Sequence, residues 1–111
     1  MLTNPANRRE QSRREVQWDA ECRLGGSFAE GLVCDISRGG VFFTPAGAYR
    51  TIAHGDDRSA MAFVEPGDTV LLKYSPRAEA DPVMVLATVR WVGRSAEHQA
   101  IGAGLEFDRL D

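Results

Sequence analysis

Residues 16 to 24, VQWDAECRL, alternate without a break, with Val16, Trp18, Ala20, Cys22 and Leu24 on one side and polar residues on the other. A period of two is the signature of a half-buried strand and does not suit a helix. The same character returns down the chain. LVCDI (32–36) and VFFTP (41–45) read as strands separated by the break SRGG, and GGSFAEG (25–31) reads as a turn before them. DTVLLKY follows the turn signal Pro66-Gly67. In PVMVLATVRWVG, Val83, Val85, Ala87, Val89 and Trp91 share one side. In IGAGLEF, Ile101, Ala103, Leu105 and Phe107 face one way and Gly102 and Gly104 the other, which suggests a bend or a close backbone approach. Short strands with turn punctuation and no long amphipathic helix predict an all-β barrel or sandwich.

A chain of 111 residues with 43% hydrophobic and 26% charged residues is expected to form one domain around a modest core. No apolar run is long enough to span a bilayer, and the polar start MLTNPANRRE does not suit a signal peptide. A cytoplasmic location is expected, with Cys22 and Cys34 reduced and buried. Two cysteines without histidines nearby in sequence do not make a zinc site. The segment from Ala46 to Pro66 is long for a loop in so small a domain, and DDRSAMAF within it fits a short helix capped by Asp56 or Asp57.

Charge is unevenly placed. Residues 1–14 hold four arginines and one glutamate, whereas the remainder holds nine basic and fifteen acidic residues. A basic arm (1–14) on an acidic body (15–111) repels a long polyanion but suits a small anionic ligand held locally. Few apolar side chains anchor that arm, so it is expected to be flexible without a partner. No nucleic-acid polymer is expected to bind.

Two motifs give the arm a purpose. One is Arg9-x-x-x-Arg13, preceded directly by Arg8; the other is Asp35-x-Ser37-x-x-Gly40 within DISRGG, at a break between strands. Each is weak alone, but their order, with an alternating strand between them, resembles the PilZ family of bacterial domains that bind the second messenger cyclic di-GMP. The ending ATVRWVG…IGAGLEF is similar to that family's closing strands, and the likeness runs over residues 8–108. The resemblance implies a six-stranded antiparallel barrel, no enzymatic activity and no cofactor beyond the signalling ligand. It also implies ligand contacts from Arg9, Arg13, Asp35, Ser37 and Gly40, and a downstream protein partner. An arginine at the place of Arg8 accompanies capture of a stacked pair of ligand molecules, and an aromatic at the place of Trp91 stacks on guanine in some relatives. The alternative within the family is a protein-interaction module that no longer binds the ligand.

The chemistry agrees. Cyclic di-GMP offers two phosphates and two guanines. A guanidinium fork matches phosphate, pairs with guanine O6 and N7, or stacks on the ring. The Asp35 carboxylate suits the guanine edge that donates N1–H and the amino group. Ser37 can serve a phosphate oxygen or its own loop, and Gly40 permits a close approach. By its phase Trp18 belongs to the core, while Trp91 fits core or rim equally. Arg14 and Arg38 read as solvated charges, and His54 and His98 as surface histidines without partners.

Overall fold

The computed structural model describes residues 14–46, 61–77 and 81–108. These residues form six strands: β1 (Arg14–Leu24), β2 (Ser27–Ile36), β3 (Gly40–Pro45), β4 (Thr69–Ser75), β5 (Val83–Ser95) and β6 (Ala100–Phe107). All pairs are antiparallel, and the order β1-β2-β3-β6-β5-β4 closes through pairing of β4 with β1. The expected six-stranded barrel is therefore what the chain adopts.

Side chains of one parity fill the interior. Cys22, Val33, Val41, Phe43, Val70, Leu72, Ala87, Val89, Ala103 and Leu105 form the core, and Trp18 packs against it with its ring stacked on Tyr74. Met61 and Val64 belong to the same core, so the end of the long 46–66 segment is anchored inside the barrel. Most of the expected helix at 56–63 lies outside the described residues, as does His54.

Three expectations need correcting. GGSFAEG is not a turn throughout. Leu24 pairs with Ser27, so a two-residue connection suffices, with Gly25 at φ 61, and strand resumes at once. Trp91 does not share the inward face of Val89. A β-bulge between Val89 and Trp91 turns the indole outward, where it is 41% exposed. Cys22 is buried as expected, but Cys34 is only half-buried.

A second irregularity matters more for function. Val33 points inward, and unbroken alternation would carry Asp35 inward as well. The β2–β3 register shifts between Val33 and Asp35, and the β1–β2 register shifts in the facing segment between Glu15 and Trp18. Asp35 thereby pairs with Phe42 on the outer wall instead of with a core residue. One extra residue re-aims a side chain to the other surface.

Candidate functional site

The outward turn of Asp35 completes a row across five strands. Glu15 pairs with Asp35, Asp35 with Phe42, Phe42 with Gly104 and Gly104 with Trp91, through β1, β2, β3, β6 and β5. Gly104 is the gap in the row. A Cβ there would run into Trp91 Nε1, so the indole lies across the bare backbone. Gly102 makes similar room, because its Cβ would stand 2.9 Å from Phe42 Cζ. The paired glycines of IGAGLEF are thus a floor for two aromatic rings, the close approach expected from the sequence. Phe42 and Trp91 stack above it with centroids 5.5 Å apart.

The motif turn sits at one side of this platform. Ser37 Oγ accepts hydrogen bonds from the N–H groups of Gly39 at 3.1 Å and Gly40 at 3.2 Å. The backbone closes the same turn, with Ser37 N–H donating to the Gly40 carbonyl at 2.8 Å. Of the two roles open to Ser37 from the sequence, the structure fills the local one. Gly40 supports the turn by close approach, since a Cβ there would meet the Leu105 carbonyl. Arg38 is exposed, as expected, and Arg14 is exposed at the start of β1.

Asp35, Ser37, Gly40 and Trp91 line one cleft of about 380 Å³, together with Arg90 and Glu106. Arg90 donates to Glu106 at 2.9 Å on the exposed rim. A larger cleft of about 610 Å³ opens elsewhere, bordered by Asp19, Glu21, Glu30 and Lys73. Three carboxylates facing one ammonium repel a phosphodiester, so the smaller cleft suits an anionic ligand better. Arg8, Arg9 and Arg13 lie outside the described residues. Their attachment point does not. Glu15, the register partner of Asp35, follows Arg13 by two residues and Arg9 by six. Six residues reach about 20 Å at full extension.

His98 is the residue that sequence reading misplaced. Far from being an unpartnered surface histidine, its Nε2 lies 2.6 Å from Asp35 Oδ2, and the two side chains are only 13% and 7% exposed. An ionised carboxylate only accepts, so the shared proton is assigned to Nε2. The imidazole also stacks on Phe42, with centroids 5.0 Å apart. His98, Phe42 and Trp91 therefore form a ladder of three rings. The β5–β6 turn places His98 there. Gln99 adopts φ 53 and donates its N–H to the Ser95 carbonyl at 2.7 Å, while His98 N–H donates to Ser95 Oγ at 3.2 Å. Nothing in the sequence signals a contact across 63 positions; it depends on where a hairpin tip lands.

Donor atoms of Asp35, Glu97 and His98 lie within 4.8 Å of one another. Neighbouring ligands stand about 3.3 Å apart on a tetrahedral zinc and about 2.9 Å apart on an octahedral magnesium, so the 2.6 Å contact has the length of a hydrogen bond. Burial raises the Cys34 thiol above its usual range, and the adjacent Asp35 charge adds to it, which disfavours a reactive thiolate at the site's margin.

The PilZ domain model matches residues 7–111, which includes both motifs and the four arginines of the arm. The chain belongs to the PilZ family. PilZ domains are binding or receptor domains. A solved structure of the Bacillus subtilis inhibitor of motility, MotI/DgrA, is similar in fold, with a TM-score of 0.65 at 16% identity. The match covers 90% of this chain and 42% of that one, so this PilZ chain spans less than half the length of that neighbour. A search of curated protein sequences gave no match. Among the described residues, no helix is long and apolar enough to cross a membrane.

Proposed function

We propose that this PilZ domain is a receptor for cyclic di-GMP and that its ligand lies in the cleft between the Asp35–Gly40 turn and Trp91. The observation that carries this reading is the five-strand row, which sets the motif aspartate and an exposed indole on one wall beside the root of the arginine arm. Trp91 gives a guanine a stacking face. Asp35 accepts from the guanine N1–H and amino edge. Ser37 and Gly40 hold the turn whose backbone borders the phosphates. Arg9 and Arg13 supply guanidinium forks to phosphate or to guanine O6 and N7, and Arg8 completes the charge that a stacked ligand pair requires. Ordering of residues 1–14 over the bound dinucleotide then changes the surface shown to a downstream protein, with no chemical step.

Calorimetric titration of cyclic di-GMP into the folded protein tests the reading. Saturable binding is expected, with Arg9→Ala or Arg13→Ala each weakening it by about 1–3 kcal/mol, as for a good bidentate contact. Absence of heat up to high micromolar ligand would point instead to an interaction module of the same fold.

A further inference from the structure

We propose that His98 is a positioning residue of the ligand site, holding the Asp35 carboxylate with one edge and the Phe42–Trp91 stack with its face. The inference rests on the cyclic di-GMP reading for its consequence but on ligand-free geometry for its content. Asp35 has left the interior through a β-bulge, so the β2 backbone alone does not dictate where its carboxylate points. Nε2 of His98, at 2.6 Å from Oδ2, anchors it from the β5–β6 turn. The His98 contact is made to Oδ2 and does not by itself occupy Oδ1.

The same ring closes the ladder from the far side. Phe42 is stacked with both His98 and Trp91, with centroids at 5.0 and 5.5 Å, and is itself buried to 4% exposure. Trp91 is partly exposed and lines the cleft. A buried ring stacked on two others cannot tilt without disturbing both contacts, so the orientation of the indole is referred through Phe42 to His98. One side chain on the β5–β6 turn thus sets the two groups that contact the guanine, a carboxylate on β2 and an indole on β5. Preorganisation of this kind reduces the ordering that binding would otherwise require.

Three variants separate the two functions of the ring. His98→Phe keeps the stacking face and removes the donor. His98→Gln keeps a donor and removes the aromatic face. His98→Ala removes both. In the ligand-free protein, NMR of the Trp91 indole N–H should show the wild-type position in His98→Phe and a displaced one in His98→Gln and His98→Ala. The Asp35 carboxyl carbon signal should behave oppositely, moving in His98→Phe and His98→Ala and staying near wild type in His98→Gln. Titration with cyclic di-GMP should then show about a tenfold loss in His98→Ala, with partial recovery in each of the other two. If wild type binds no dinucleotide while the ligand-free signals follow this pattern, the receptor reading fails and the positioning role stands. If both signals stay put in His98→Ala, or if His98→Phe restores full affinity, the positioning role is overturned.

Discussion

Gly104 shows what an omitted side chain can do. Glycine in a strand weakens it, because the unfolded chain has more freedom to lose and no side chain packs in return. Here the omission is filled by Trp91, whose indole lies where a Cβ would stand. Gly104→Ala is therefore expected to push the indole off its floor and break the 5.5 Å stack on Phe42. The overpacking should cost about 1–3 kcal/mol in a urea titration, a loss larger than any gain from a stiffer unfolded chain. Ligand affinity should fall along with it. A variant as stable and as tightly binding as wild type would mean that the indole has no fixed position. Ser37 makes the same point from the polar side. Its hydroxyl caps two N–H groups of its own turn, so much of its value is to shape the loop.

At the scale of the element, the strands were legible and their irregularities were not. Strict alternation in residues 16–24 marks β1 because water on one side and core on the other impose a period of two. The same rule failed at Trp91, since a bulge after Val89 changes the parity while Val89-Arg90-Trp91 still reads as ordinary apolar–polar–apolar alternation. GGSFAEG reads as a turn because of its paired glycines, though a two-residue hairpin uses them and strand resumes at Ser27. Within the site, Asp35, Ser37 and Gly40 were legible because they form a local motif, whereas His98 acts across 63 positions and was not. The β1 strand also carries a measurable pH dependence. Burial raises the Cys22 thiol to about 12 from an unperturbed 9.0. Folded protein then keeps its proton where the unfolded chain loses it, so stability is fully present below pH 9 and declines toward 12. Cys34 and Tyr74 are raised in the same direction and add to the slope. Chemical denaturation between pH 8 and 11 should show that decline, and Cys22→Ala, though less stable throughout, should flatten part of it. An unchanged slope in the variant would contradict the assignment.

For the molecule as a whole, the site is not a property of one hairpin. Its row crosses β1, β2, β3, β6 and β5, so a ligand seated on it fastens segments from Glu15 to Gly104 to one another. Binding confined to the native state stabilises it by about 2.7 kcal/mol when ligand stands at a hundred times its dissociation constant. For a domain of this size, cyclic di-GMP should then raise the melting temperature by roughly 10 °C. The shift should appear as one cooperative transition and not as a split one, and scanning calorimetry would tell the two apart. Closure of the described strands has a further effect on company. Every described strand has a neighbour on each side, yet β4 reaches only Asp19–Arg23 of β1, so the β4-facing edge of Arg14–Trp18 has no ladder partner among the described strands. A foreign strand would therefore find only such overhanging ends to pair with, and would elsewhere meet side chains.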